Sequence, residues 1–558
     1  MPTHVQLCTF RLCLSVSRLK FGKVSRAPAR LVQQAYCGQI RTQDGVDMGR
    51  RHLKVAVIGA GAAGLVAARE LAREGHQPTV FEQGSRPGGV WVYTDDVEEA
   101  SMPGARKVRP QVHSSMYRNL RTNLPREVMS YTDFPFTRAW LDARRFCSHE
   151  EVEAYLEAFA DKFNLHQYIR YETRVLTVRP IQAAAAAEPA AWHGNGHRAQ
   201  SAQDLPSHST ANGNGPSHQH IAENRAVQSH DSSDPPRWQI TTAPVDSQGA
   251  AASAAPTQDF DAVVVCNGHY SDVRRAELPG AEQFPGTVVH SHSYRDNVAF
   301  RGLTVVVIGA SASGEDICRE IALTANRVYL SARSWQNPEW AHDSAAFGPR
   351  SNILRRGVPV LLGADGSVEF EGGERADRVD VVMHATGYKY TFPFLQGAGV
   401  VAVNDNRVEH LYQHIFPPDH APTISFVGLP WKVVPFAQYE LQSKWIARVL
   451  SGRAGLPAAQ AMHKHIEAFY SGLEQSNIPQ RYTHMLGDKQ WAYNDWLADA
   501  CSSDVERLPA WRPLMYKVAG DTKRAFPERY RDTWPESELV GIAAEEAQAL
   551  GAPVEVAA

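Results

Sequence analysis

LKVAVIGAGAAGLVAARELAREG, residues 53–75, is the stretch that decides the fold. Leu53 to Ile58 is a short apolar run rich in β-branched side chains, the pattern of a strand buried on both faces. Gly59-Ala60-Gly61-Ala62-Ala63-Gly64 follows at once, and apolar residues then recur at helical spacing. Strand, glycine turn and helix in that order make a cradle for a dinucleotide. Gly59 permits the tight turn, Gly61 lets the backbone approach a pyrophosphate, and Gly64 lets the helix pack close on the strand. The helix N-terminus, at Ala62 and Ala63, presents free amides and the positive end of its dipole to the phosphates. A second strand, PTVFE, ends in Glu82, where a carboxylate accepts hydrogen bonds from the ribose hydroxyls. Glu82 would repel a 2′-phosphate, so the ligand expected here carries an unphosphorylated adenosine. The continuation Arg86-Pro87-Gly88-Gly89-Val90-Trp91 favours FAD: Gly89 and Val90 pass close to the cofactor, and Trp91 covers part of a flavin. Val175, on a later strand, and Thr122 join the expected contacts.

The same logic returns 250 residues later. Leu303 to Ile308 leads into Gly309-Ala310-Ser311-Ala312-Ser313-Gly314 and then a periodic EDICREIAL. Ser311 replaces the middle glycine; it is small, and its hydroxyl can donate to a phosphate, as can that of Ser313. The next strand, RVYLSARS, ends without an acid and supplies Ser331 and Arg333 instead. A guanidinium at that tip suits a 2′-phosphate in charge and geometry, which points to NADPH. Glu315 and Asp316 lie in the helix's first turn, where a carboxylate either faces the coenzyme or complements the dipole.

The 558 residues correspond to about three or four domain-sized units at roughly 150 residues each. With 57 Lys+Arg against 60 Asp+Glu, the chain has no general electrostatic reason to bind nucleic acid. Hydrophobic residues at 43% support a large core, and no apolar run approaches the roughly 18 residues a membrane span needs. None of the 7 cysteines forms CxxC, which removes support for a redox pair, a zinc knuckle or a disulfide scaffold, and no metal site is expected. The first acid is Asp44; upstream, Arg11, Arg18, Lys20, Lys23, Arg26, Arg30 and Arg41 give the composition of a transit peptide. That reading sends the chain to chloroplast or mitochondrion; the alternative is an extension before a true start at Met48 and a cytoplasmic enzyme. Between residues 182 and 236 the chain is rich in Ala, Gly, Asn, Ser and His and too poor in large apolar residues to order itself. Its flanks read as strands, so it is expected at a hairpin tip.

The fold class expected is α/β, with two Rossmann-like dinucleotide-binding domains and the NADPH domain inserted into the FAD domain. Residues 1–47 stand apart, 48–270 form the first part of the FAD domain, and 271–384 form the NADPH domain. Residues 385–558 complete the FAD domain and end in a helical tail.

Two such sites imply electrons moving from NADPH to a flavin. A disulfide acceptor would need a cysteine pair and a metal-linked one a Cys/His cluster, whereas molecular oxygen needs no protein ligand. Between the turns stands Phe284-Pro285-Gly286-Thr287-Val288-Val289-His290-Ser291-His292-Ser293-Tyr294-Arg295, which resembles the FxGxxxHxxxY/F motif of flavin-containing monooxygenases. Ser114–Tyr117, Thr122-Asn123-Leu124-Pro125, Asp133–Phe136 and Ala385-Thr386-Gly387-Tyr388 match further motifs. HSHSYR, WKVVPFAQYELQSKW and RYTHMLGDKQW look most like the plant and algal branch, which S-oxygenates thioethers such as glucosinolate side chains.

That resemblance, covering about Leu53 to Trp534 apart from the low-complexity insert, implies FAD, NADPH and O2. The implied reaction transfers one oxygen atom to a thioether or amine through a flavin C4a-hydroperoxide. It implies that Asn123 is the catalytic residue beside the flavin, that Gly387 lets the chain approach it, and that the His290 motif is structural. Alternatives are an NADPH oxidase or diaphorase without substrate oxygenation, or a Baeyer–Villiger monooxygenase; the latter group typically has Trp where Tyr294 stands. Substrate identity, S- against N-oxygenation and homo-oligomerisation are left open.

Overall fold

Two parallel sheets of five strands each organise the chain. The computed structural model describes residues 52–181, 237–246, 257–534 and 538–551. The basic N-terminal segment and the low-complexity stretch 182–236 lie outside the described residues. In the first sheet β1 (Lys54–Ile58) lies between β2 (Gln77–Phe81) and β3 (Ala262–Val265), parallel to both. Ile169–Arg170 extends the β2 edge and Ile424–Phe426 the β3 edge. In the second sheet β4 (Thr304–Ile308) lies between β5 (Arg327–Ser331) and β6 (Val381–His384). Ile353–Arg356 and Thr287–His290 form its edges.

The two sheets share one plan. In each, the strand before the glycine turn is flanked on one side by the next strand in the chain and on the other by a strand that arrives much later. This reversal of winding opens a crevice at the carboxyl ends of the strands, where α/β sheets bind ligands. Val55 to Ile58 and Val305 to Ile308 are buried because helices cover one face of each sheet and antiparallel strands the other, which explains why these strands read as continuous apolar runs. Helix α1 (Ala62–Arg73) follows the first turn and α2 (Ala312–Ala322) the second.

Thr173–Pro180 and Trp238–Pro244 pair antiparallel with Pro180 opposite Trp238, so residues 181–237 bridge the tip of a hairpin. Val178, Trp238 and Ile240 pack from this hairpin onto Phe81 and Val263 of the first sheet. An antiparallel set around Leu362, Val368 and Phe370 covers one face of the second sheet in the same way. The helix α3 (Pro435–Ser451) packs along α1; Pro435 opens it, and Gly452 at φ +82° closes it.

A buried ion cluster joins α1 to α3. Arg69 meets Glu70 at 2.7 Å, Asp133 at 2.6 Å and Glu440 at 3.1 Å. Glu440 also accepts from the Thr132 amide and hydroxyl at 2.7 and 2.6 Å. Burial alone would raise its pKa, but Lys444 and Arg69 outweigh that and hold the carboxyl well below its usual range. Among the described residues no helix is long and apolar enough to cross a membrane.

Candidate functional site

The two glycine turns are geometric duplicates. Gly59 and Gly309 adopt φ +100° and +111°, and each amide donates at 2.8 Å to the last carbonyl of the neighbouring strand, Phe81 or Ser331. A Cβ on Gly59 would fall 2.6 Å from the Cys266 carbonyl oxygen, and one on Gly309 2.4 Å from that of Ala385. On Gly64 and Gly314 it would lie 1.8 and 1.7 Å from the carbonyl oxygens of Gly59 and Gly309. Four glycines are therefore demanded by packing of the chain on itself.

Gly61 is different: a Cβ there would meet only Gly89 Cα at 3.5 Å, an ordinary contact. Nothing in the protein's own packing requires glycine at this position. The space over it, at the amino end of α1 where first-turn amides have no intrahelical partner, fits a pyrophosphate. Gly89 packs on the same turn from the other side, at φ +59°, with a virtual Cβ 2.8 Å from Gly61 Cα. Ala62 and Ala63 open the helix, and Val90 and Trp91 continue the Gly89 turn half-buried. The residues present thus fit FAD. In the second turn Ser311, Ala312 and Ser313 are exposed, and the Ser311 hydroxyl makes no capping bond to its own helix, which leaves it free for a phosphate.

The acid and the arginine stand at or just past the tip of the second strand of each unit. Glu82 is buried at the tip of β2 and accepts from the Ala60 and Gly84 amides, each at 2.7 Å, so its carboxylate is fixed in place. Register places Phe81 opposite Ile58 and Ser331 opposite Ile308, making Ala332 the positional counterpart of Glu82. Ser331 is therefore corrected: it is the last buried strand residue, and its hydroxyl donates to the Gly357 carbonyl at 2.8 Å rather than facing the crevice. Arg333, one residue beyond Ala332, is exposed, and its Nη2 donates to the Tyr482 hydroxyl at 3.1 Å.

One loop ties the two turns together. Ser114 Oγ donates to the Val90 carbonyl at 2.8 Å, beside the first turn, and the buried Tyr117 hydroxyl donates to Asp316, in α2. Arg531 completes the link: Nη1 donates to Asp316 at 2.6 Å, Nε to the Thr122 carbonyl at 3.0 Å and Nη2 to the Arg121 carbonyl at 3.1 Å. Asn123 follows Thr122 and is exposed. Asp316 is thus a strut between α2 and this loop, and Glu315 pairs with Lys523 at 3.3 Å. Both carboxylates, expected at the coenzyme, face protein cations. Thr122 is buried, its hydroxyl donating to the Leu124 carbonyl at 2.9 Å. The Val175 side chain is in the core, so any contact it makes with a cofactor runs through its backbone, where the hairpin register shifts. Gly387, at φ +83° just past β6, has open space where a Cβ would be.

Ser114, Tyr117 and Arg531 were not expected as individual site residues. Ser114 and Tyr117 lay within a quoted motif, but nothing local marks a hydroxyl that reaches 199 residues along the chain.

The Phe284–Arg295 motif is a hub beneath that loop. Arg295 is buried and donates to the carbonyls of Asp96, His292 and Tyr294 at 2.7–2.8 Å. His292 Nε2 lies 2.9 Å from the Val112 carbonyl. His290 Nδ1 accepts from the His292 amide at 3.0 Å. Burial, with Arg275, His292 and His384 nearby, pushes the His290 imidazole down to about 3, so it is neutral at physiological pH, with its one proton on Nε2.

This pair of linked crevices has relatives. The family model for flavin-binding monooxygenase-like proteins matches residues 52–199, 222–341 and 360–501. Flavin-containing monooxygenase FMO GS-OX-like 2 of Arabidopsis thaliana is 42% identical over 491 residues, covering 87% of this chain and 92% of its own. GS-OX-like 4 of the same plant is 44% identical over 496 residues, 88% and 96% of the two chains. The structure of S-allyl-L-cysteine S-oxygenase from Allium sativum superposes with a TM-score of 0.74 at 41% identity, over 90% of this chain and 100% of that one. Tmm from Pelagibacter sp. strain HTCC7211 shares the fold, with a TM-score of 0.64 at 23% identity over 88% and 95% of the chains. The chain therefore belongs to the flavin-binding monooxygenase-like family and is an FAD-dependent monooxygenase that uses NADPH.

Proposed function

We propose that this enzyme oxygenates soft nucleophiles, with thioethers as its substrate class. The observation that carries the reading is the single loop, Ser114 to Asn123, hydrogen-bonded to Val90 beside the first glycine turn and to Asp316 in the helix that follows the second. Such a loop lets a residue at its end serve two cofactors at one place. Likeness to an S-allyl-L-cysteine S-oxygenase along nearly the whole chain supports sulfur as the acceptor atom.

Each sheet is then a Rossmann-like domain, the first for FAD and the second, within residues 271–384, for NADPH. Gly59, Gly61 and Gly64 cradle the FAD pyrophosphate, and Glu82, fixed by two amides, accepts from the ribose. Gly309, Ser311, Ser313 and Gly314 do the same for NADPH, and Arg333 meets its 2′-phosphate. Bound flavin, once reduced by NADPH, supplies the activation of O2 and the transfer of one oxygen atom. Asn123 orients the reacting groups with its amide, and Gly387 leaves room for the ring system. The thioether sulfur needs no protein base, which agrees with a buried His290 whose Nδ1 lone pair already accepts from the His292 amide.

The test is turnover of an alkyl cysteine thioether under labelled oxygen. One labelled atom in the sulfoxide per NADPH consumed supports the reading. Consumption of NADPH with hydrogen peroxide as the sole product would replace it with the oxidase alternative.

A further inference from the structure

We propose that Arg481 and Tyr482, on the C-terminal segment, complete the 2′-phosphate pocket with Arg333, so that the coenzyme is gripped across the two sheets at once. The inference rests on the assignment of the second turn to NADPH and adds residues that no part of that βαβ unit contains.

Arg333 stands just beyond the tip of β5, and its partner is a hydroxyl 149 residues away in the chain. The Tyr482 oxygen receives Arg333, and the Arg481 guanidinium carbon lies 5.7 Å from the centroid of the Tyr482 ring. Burial alone would raise its pKa, but the two guanidiniums outweigh burial and lower it below the ordinary tyrosine value. Two cations flanking one neutral tyrosine repel each other, and a doubly charged phosphate between them relieves that repulsion while accepting from all three groups. Arg481 has capacity to spare. Among the described residues its one ion pair, with Asp405, uses Nη1 at 3.3 Å, and its side chain stays 27% exposed. Arg333 pairs with no carboxylate among the described residues.

The segment bearing Arg481 and Tyr482 is held rigidly. Gln480 Nε2 donates to the Asn404 carbonyl at 3.0 Å, and Arg407 Nε donates to the Thr483 hydroxyl at 2.8 Å. The Val408 amide donates to His484 Nε2 at 3.0 Å, and the Trp431 and Leu486 amides tie the two stretches together at 3.0 and 3.1 Å. A pocket half built on such a platform is pre-organised, and a phosphate that fills it bridges the Arg333 strand tip to the platform that supports the first sheet's returning chain. The 2′-phosphate then does more than select the coenzyme: it fastens the second sheet's strand tip to the C-terminal segment.

The experiment is calorimetric titration of the flavin-loaded full chain with adenosine 2′,5′-bisphosphate and, separately, with 5′-AMP. Arg481→Ala should weaken bisphosphate binding about 10- to 100-fold, the loss expected for a charged hydrogen bond, and leave 5′-AMP within about twofold. Tyr482→Phe should weaken bisphosphate about 3- to 10-fold, and Arg481→Lys should recover part of the loss. Asp405→Asn removes the pair that Arg481 makes with protein; bisphosphate affinity should hold or rise. If Asp405→Asn weakens bisphosphate as much as Arg481→Ala does, Arg481 acts through loop placement and the proposal falls. If Arg333→Ala weakens bisphosphate while the Arg481 and Tyr482 variants do not, the proposal falls and the NADPH assignment stands. If none of the three changes the preference for bisphosphate over 5′-AMP, the assignment of the second turn falls as well.

Discussion

Replacing Arg531 with alanine should loosen the Asn123 end of the loop from the helix after the second glycine turn while leaving both turns intact. Its guanidinium makes three hydrogen bonds, one to the Asp316 carboxylate at 2.6 Å and two to the carbonyls of Thr122 and Arg121 at 3.0 and 3.1 Å. Its side chain is only 18% exposed, so water replaces these bonds poorly. A hydrogen bond involving a charge contributes about 1.5–3 kcal/mol; three on one group do not add, and a total near 3 kcal/mol is reasonable. The kinetic effect comes from position, since a misplacement of about 1 Å at a reacting centre can cost about 100-fold in rate. We expect kcat/KM for NADPH to fall about 10- to 100-fold, with a larger share of the electrons released as hydrogen peroxide. Asp316→Asn keeps an acceptor for Tyr117 and removes the charge facing Arg531. A double-mutant cycle of the two changes, read on kcat/KM, should give a coupling of about 1–2 kcal/mol. Wild-type kcat/KM and peroxide yield in Arg531→Ala, alongside a lowered melting temperature, would refute the positional argument and leave Arg531 a strut for stability alone.

Gly61→Val should yield a folded chain that has lost its visible flavin absorbance, because only the cofactor's space is invaded; a yellow, active variant would contradict this. Gly64→Ala should instead fail to accumulate as folded protein, since its methyl would lie 1.8 Å from a backbone oxygen; soluble expression and circular dichroism decide. Arg333→Ala should narrow the preference for NADPH over NADH by about 1.5–3 kcal/mol, measured as the ratio of kcat/KM values. Stability should also fall with acid through the His414–His484 pair. The Val408 amide donates to His484 Nε2, so Nδ1 of that ring carries the proton and donates to His414 Nδ1 at 3.0 Å, with both rings neutral. Burial pushes His414 down to about 4 from 6.5, so the unfolded chain takes up a proton first as pH drops. The resulting loss is about 3 kcal/mol, developing between pH 6.5 and 4 and absent above 7. Denaturant titrations across that range should show a pH slope that His414→Gln reduces.

Both glycine turns, and the parallel strands before them, were legible without coordinates. Their requirements are steric and local: Gly59, Gly64, Gly309 and Gly314 answer to backbone atoms of the turn itself or of the adjacent strand's end. The positions of Glu82 and Arg333 at or just past strand tips were legible for the same reason, because each need only follow a strand. Ser331 was misplaced by one position, since sequence pattern does not show where a strand's last buried residue falls; pairing register does. Asp316 fits a helix-dipole role when α2 is considered alone and becomes a strut only with Tyr117 and Arg531 brought against it. Those partners lie 199 and 215 residues away. Whether they meet depends on how the Ser114–Asn123 loop and the segment bearing Arg531 pack against α2, through buried surfaces contributed by many segments, and no short stretch of chain records that outcome. The chemistry each crevice can hold is thus written in consecutive residues, whereas the alignment of one crevice with the other, on which electron and oxygen transfer depend, arises only in the packed tertiary structure.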